Sequence, residues 1–360
     1  MKIVYISDVH SDFDKFGIAM EYAKKVKPDL IQISGDIIDF SLRNPKRFQK
    51  HTQLAQALML YAQNNEPGLR RLTPYEIPRA LPIIAEKIYE NPPNENLEGL
   101  VKAYLTSLDF AEGNMDIQYD LLKDIADKTG IDYNVLAGNY DKDLQLSSLR
   151  EKDLHKKTIE RNGIIISGFG GANDFQRGNV VPFGIPPELT IPFNEYPNRA
   201  GQTISEIFNF LTEEKPDVAF THAPPKGFRD LMKDPQTGQL VEKGSPGLTK
   251  YLQQGDTKIL CCGHMHESVG VKKMITDKGP VIIFNGGSLR DGYFGEIIID
   301  DKTKKMDKIS LYQIKGKLIL LSDLEQNLDV DNVKLLMEYV LTPDGELKKL
   351  KIDLNDKHDY

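Results

Sequence analysis

Four of the seven histidines in this 360-residue chain belong to a set of short clusters that also supplies aspartates and an asparagine, residue types that together could bind metal. The clusters are Asp8-x-His10, Gly35-Asp36, Gly138-Asn139, Thr221-His222 and Gly263-His264-x-His266. A carboxylate can bridge two cations, which a neutral imidazole cannot. Carboxylate, amide oxygen and imidazole together suit borderline first-row divalent ions such as Mn²⁺, Fe²⁺, Ni²⁺ or Zn²⁺. The one-residue gap between His264 and His266 would send an imidazole to each of two ions where the segment splays at a strand end. Glycines ahead of Asp36, Asn139 and His264 would let the backbone turn sharply and approach the ions. Singly each cluster is weak, since Gly-Asp is an ordinary turn and a lone histidine is often a core residue. Five in order, each just past a predicted strand, define a metal site.

Short apolar runs bounded by turn residues predict the strands that would carry these clusters. They are Ile3–Ser7, Leu30–Ser34, Tyr133–Ala137, Ile164–Ser167, Val218–Thr221, Ile259–Cys262, Val281–Phe284, Glu296–Ile299 and Ile309–Gln313. Ligands past strand C-termini are the arrangement by which open α/β sheets build sites. Helical patterns lie between several of the runs. Ser11 or Asp12 would cap a helix to Val26, Ile117–Lys128 reads as another ended by Gly130, and Ile204–Leu211 as a third. Early alternation and a strand-rich end predict an α/β sandwich with mixed sheets.

Three segments break the rhythm. Residues 41–115 exceed what a crossover needs, and Leu54, Leu58, Tyr61, Leu97, Val101 and Leu105 are spaced for helices, so a helical insertion is expected. Prolines 182, 186, 187, 192 and 197 make residues 178–200 an ordered loop. Residues 316–360 read as a C-terminal extension to a main domain of residues 1–315. It would hold a helix at Val333–Val340, a turn at Pro343-Asp344-Gly345 and a last strand.

Composition bounds the rest. An apolar fraction of 40% and a charged fraction of 28% support a buried core. No secretory leader is legible, and no stretch approaches the ~20 apolar residues of a spanning helix, which predicts a cytoplasmic protein away from membranes. Net charge is −7, which disfavours a nucleic-acid tracker. Adjacent Cys261 and Cys262 would point to opposite faces of a strand, so they read as buried apolar residues and not as a disulfide.

As a set, the clusters resemble the motif series of the calcineurin-like metallophosphoesterase superfamily, over roughly residues 1–300. Thr221-His222-Ala223-Pro224-Pro225 and Asn285-Gly286-Gly287-Ser288 look more like its small prokaryotic branch. The resemblance implies a four-layer αββα sandwich with two divalent ions at one edge. It assigns Asp8, His10, Asp36 and His266 to one ion, and Asp36 (bridging), Asn139, His222 and His264 to the other. Many relatives place a histidine after Gly-Asn, thought to assist the leaving group, with an aspartate orienting it. This chain has Tyr140 and Asp141, so Asn139, Tyr140 and Asp141 are the catalytic candidates and the acid is open. A phenol of pKa ~10 is a poor acid at neutral pH, though it can donate a hydrogen bond. His51 and His155 are remote substitutes, expected at the surface.

The implied reaction is phosphoester hydrolysis, with a water between the ions attacking phosphorus in line. A cap formed by residues 41–115 would favour a small phosphoester or nucleotide, and Asn173, Arg177 and Arg290 are candidates to meet its phosphate. A DNA or RNA nuclease is the alternative enzyme, and a scaffold without catalysis the alternative from another class. Residues 316–360 could dock a partner or a second copy of the chain.

Overall fold

The computed structural model describes residues 1–39, 44–65, 76–172, 185–197, 203–234, 237–315, 333–342 and 345–352. Along the chain run β1 (Lys2–Ile6), α1 (Phe13–Val26), β2 (Leu30–Ser34), α2 (Pro45–Asn65), α3 (Glu76–Glu90), α4 (Glu95–Asp127), β3 (Tyr133–Leu136), β4 (Lys157–Arg161) and β5 (Ile164–Phe169). They are followed by β6 (Glu195–Pro197), β7 (Thr203–Ser205), α5 (Glu206–Glu214), β8 (Val218–Thr221), β9 (Leu231–Lys233), β10 (Leu240–Glu242), α6 (Pro246–Gln254) and β11 (Ile259–Cys262). The chain closes with β12 (Gly270–Thr276), β13 (Gly279–Asn285), β14 (Tyr293–Ile299), β15 (Met306–Ile314), β16 (Val333–Leu341) and β17 (Leu347–Ile352).

Two mixed sheets form the centre. The first has the order β17-β16-β15-β14-β1-β2-β3, and the second β12-β13-β11-β8-β5-β4. Strands β1, β2 and β3 run parallel, as do β5, β8, β11 and β13. Alternation along each strand divides the side chains between two faces. Ile3 and Tyr5 of β1 meet Val218 and Phe220 of β8 between the sheets. Val4 and Ile6 face outward onto α1 and α4 through Phe16, Met20, Met115, Tyr119 and Leu122. Ala219, Leu260 and Cys262 face outward from the second sheet onto Ile207, Leu211, Leu248 and Leu252 of α5 and α6. Four layers result, helices–sheet–sheet–helices. Cys261 and Cys262 lie on opposite faces of β11, both buried as free thiols.

Local chemistry sets the helix starts. The Asp12 carboxylate accepts from Lys15 N and starts α1, and the Ser205 and Ser245 hydroxyls cap α5 and α6 in the same way. The third expected helix therefore begins at Glu206, not Ile204, because Ile204 pairs within β7. Strands β4 and β12 escape a search for apolar runs because they form the two edges of their sheet and carry polar residues on one face.

The insertion is helical: α2, α3 and the first half of α4 enclose a separate core of Leu58, Leu81, Ala85, Ile88, Leu97, Val101, Tyr104 and Leu108. Helix α4 runs through residue 115 without a break, 33 residues or about 50 Å long. Its second half is the outer layer of the first sheet. None of the described helices is long and apolar enough to cross a membrane.

Residues 333–341 are a strand, not the expected helix. The pairing of β16 with β15 passes from Leu311↔Met337 to Tyr312↔Leu335, so Leu336 bulges and has no opposite residue. The bulge puts Leu336 and Tyr339, three apart, on one face between the sheets. A helix-like spacing is thus made by an irregular strand. Deleting residues 333–360 removes both side chains, each worth about 1.5–3 kcal/mol on burial. The thermal midpoint is expected to fall by several degrees, and an unchanged midpoint would show that the two strands add nothing.

Candidate metal centre

Strands β1, β2, β3, β8 and β11 end at one edge of the sandwich, and each delivers its cluster there. Asp8, His10 and His266 place one donor atom each within 4.8 Å of one another, and Asp36, His222 and His264 do the same. Asp36 stands between the two groups. Its Oδ2 is 3.7 Å from His10 Nε2 and its Oδ1 3.4 Å from His222 Nε2. Asn139 Oδ1 lies 2.9 Å from His222 Nε2. On the other side, Asp8 Oδ1 is 3.1 Å from His266 Nε2, which is 3.3 Å from His10 Nε2.

The donor set fits cations. His222 Nδ1 donates to Ser34 O at 3.1 Å, which turns the Nε2 lone pair toward two oxygens, Asn139 Oδ1 and Asp36 Oδ1. Three acceptors meeting without a positive charge would repel, so a proton or a metal ion must sit among them. Charge at the site shows the same demand. Burial works against an imidazolium at His222, yet Asp36, with Asp8 behind it, raises the ring to about 10. Burial alone would raise Asp8 and Asp36, but His266 for the first and His222 for the second bring each below the usual carboxylate range. His10 Nδ1 is buried, 3.7 Å from Asp39, and has no hydrogen-bond partner among the described residues.

Backbone strain gathers at the same place. Asp8 (φ 54°), His10 (46°), Ser11 (61°), Asp36 (45°) and His264 (66°) are all left-handed. Non-glycine residues hold this conformation only where their surroundings impose it, and such strain is typical of functional sites. Of the three glycines expected to make sharp turns, only Gly35 has positive φ, at 85°; beside Gly263 it is His264 that turns instead. Gly138 and Gly263 serve close approach. A Cβ on Gly138 would collide with the Asp36 carboxylate, and one on Gly263 with Ser7 and the Asp8 carboxylate.

The remaining candidates separate. Asp141 is fully buried and accepts from Gly138 N at 2.7 Å, Ile37 N at 3.1 Å and Tyr119 OH at 3.3 Å, so it fastens the β2 and β3 loops together. Burial, then Asp36, push its carboxyl up to about 7. Tyr140 donates its N–H to Asp36 Oδ1 and its ring meets His10 edge-on at 5.4 Å. Arg290 is at the rim, its guanidinium 3.3 Å from Asp39 and its backbone N–H on Asp8 O. Asn173 and Arg177 lie outside the described residues. His51 and His155 are not surface histidines. His51 is enclosed in the insertion between Ser107 and Glu188, at 3.2 and 3.5 Å. His155 accepts from Gly170 N, and burial lowers it to about 4.

Three contributors are absent from the motif series: Asp39 beside His10, Asp291 with Oδ2 3.5 Å from His266 Nδ1, and the Ser34 carbonyl under His222. Such partners orient metal-bound imidazoles. The Arg290-Asp291-Gly292 turn after β13 was the one available signal for Asp291.

Neither a family model nor a curated protein sequence matches the chain. Solved structures do. A dimetal phosphatase from Danio rerio shares 10% identity over 86% of this chain and 95% of its own, with a TM-score of 0.43. A Thermus thermophilus protein shares 12% over 85% and 96%, at 0.41, and an archaeal phosphodiesterase 10% over 85% and 97%, at 0.28. At such distance the chemistry of the site is read from this chain's own residues. Its four layers and paired donor groups are what the resemblance to the calcineurin-like metallophosphoesterases implies.

Two outcomes are expected. Gly138→Ala displaces Asp36, so the purified protein should hold less than one ion per chain by elemental analysis; two ions per chain would contradict the packing argument. For His155, the unfolded ring takes up its proton near 6.5 and the folded one near 4, so stability present above 6.5 is lost as pH falls toward 4. In His155→Gln, urea unfolding should show a flatter loss over that window, and an unaltered slope would refute the assignment.

Proposed function

We propose that this chain is a phosphoesterase dependent on two divalent ions, Mn²⁺ foremost, acting as a phosphodiesterase or phosphatase on a small phosphoester or nucleotide. The observation that carries the reading is Asp36, one carboxylate with an oxygen toward each of two histidine-containing groups. Two ions held there would acidify a water and neutralise charge on the phosphoryl oxygens.

The chain's own residues supply position. Ser34 O fixes the His222 tautomer, Tyr140 N–H fixes Asp36 Oδ1, and the Asp8 carboxylate is held by Ser7 and by His264 N at 3.0 Å. Because these groups are fixed before substrate arrives, little reorganisation remains for the reaction. No side-chain nucleophile is needed. The residue after Asn139 is Tyr140, a weak acid, so the preferred ester has a leaving group that departs readily. Arg290, 52% exposed and tied back by Asp39, is positioned to meet a phosphate at the rim.

Metal-stripped protein should hydrolyse bis-(nitrophenyl) phosphate, nitrophenyl phosphate or both only after Mn²⁺ is restored. Asp36→Asn should lower the rate more than about 100-fold, beyond the usual cost of losing an outer hydrogen-bond partner. Full activity of Asp36→Asn after exhaustive stripping would overturn the two-ion reading.

A further inference from the structure

The long helix of the insertion does more than enclose its own core. At one end of α4, Ser107 contacts His51, and Tyr104 donates to Glu188 at 3.3 Å and stacks on His51. Up to fifteen residues on, about 22 Å along the same helix, its side chains reach two loops that bear metal-ligand candidates and, through Ser11 and Asp141, a third. The Tyr119 hydroxyl donates to Asp141 Oδ1 and accepts from Lys142 N at 3.0 Å. Lys142, almost fully buried, places Nζ 2.7 Å from Glu112 and 2.8 Å from Asp116, one turn apart on α4. Gln118 accepts from the Ser11 hydroxyl, which in turn accepts from Asp39 N at 2.9 Å.

Asp141 is where these contacts converge. Through Gly138 N it holds the loop carrying Asn139, and through Ile37 N and Ile38 N the loop carrying Asp36. The separation of these two loops sets where the Asp36 carboxylate and the Asn139 amide stand relative to His222. Tyr119 is fully buried in the layer between α4 and the first sheet, so its hydroxyl has one fixed position. Without it, Lys142 N–H would be buried with no acceptor and Asp141 would lose a donor.

We propose that α4, shared between the insertion and the sandwich, is a brace, with Tyr119 a positioning residue that acts through Asp141 to hold Asp36 and Asn139 at the spacing a pair of ions requires. The proposal rests on the dinuclear reading above. It assigns the helix that carries the insertion a task at the site that does not depend on reaching over the substrate.

The test is Mn²⁺ titration of the metal-stripped full chain by calorimetry, with electron paramagnetic resonance to detect exchange-coupled pairs. Tyr119→Phe keeps the ring and removes the hydroxyl. It should weaken the second equivalent of Mn²⁺ about tenfold, at the low end of what outer hydrogen-bond partners contribute, and lose the coupled-pair signal at subsaturating metal, with the first equivalent unchanged. A second variant, Glu112→Gln with Asp116→Asn, alters only half-exposed side chains and should shift the second equivalent in the same direction by less. A purely structural role for Tyr119 would lower the thermal midpoint of metal-free protein and leave both metal readouts as in the unaltered chain; that result overturns the proposal. If the unaltered chain itself shows no Mn²⁺ pair, the dinuclear reading fails, and the brace with it.

Discussion

The central constraint is electrostatic: carboxylate, amide and imidazole groups converge at one buried sheet edge, where acceptors face one another and need positive charge between them. Asp36 lies between the two histidine groups, and its oxygens face His10 and His222 at 3.7 and 3.4 Å. Raised imidazoles at His222 and His266 beside lowered carboxylates at Asp8 and Asp36 express that need for positive charge. Divalent cations would meet that need.

The rest of the fold can be understood as support for that convergence. Parallel strands in two facing sheets bring five C-terminal ends together, and several of the candidate ligand residues hold left-handed backbone there. Such strain persists only under outside restraint. Asp141 supplies part of it between the β2 and β3 loops, Asn285 spans the Gly263 and Met265 carbonyls on the β11 loop, and the Ser288 hydroxyl holds Asp8 O. Helix α4 adds a long-range element, since one rigid rod touches both the insertion's buried polar cluster and the loops bearing ligands.

Much of this was legible in the sequence because strands buried on both faces announce themselves as short apolar runs. Leu30–Ser34, Val218–Thr221 and Ile259–Cys262 appear in the structure with the expected bounds. The ligand types just beyond them stood out for the same reason: a charged or imidazole residue directly after such a run is exceptional. What stayed hidden depends on tertiary contact. Asp39 and Asp291 look like ordinary surface acids until His10 and His266 are placed beside them. Asp141 read as one of the catalytic candidates, and its partners, two backbone amides and the Tyr119 hydroxyl, come together only in the fold. His51 and His155 looked solvent-facing because each stands among charged or polar neighbours in sequence, whereas His51 is buried by the insertion and His155 is half-buried against Phe169 and Gly170. The segment Val333–Leu341 carried a helical spacing that pairing with β15 overrode through a bulge.

The most direct test of the central claim is anomalous diffraction at the manganese edge from crystals grown with Mn²⁺. The account predicts two peaks about 3.5–4 Å apart, the separation typical of two-metal sites, with Asp36 between them, one beside Asp8, His10 and His266 and the other beside Asn139, His222 and His264. A single peak away from Asp36, or none at full manganese saturation, would contradict it.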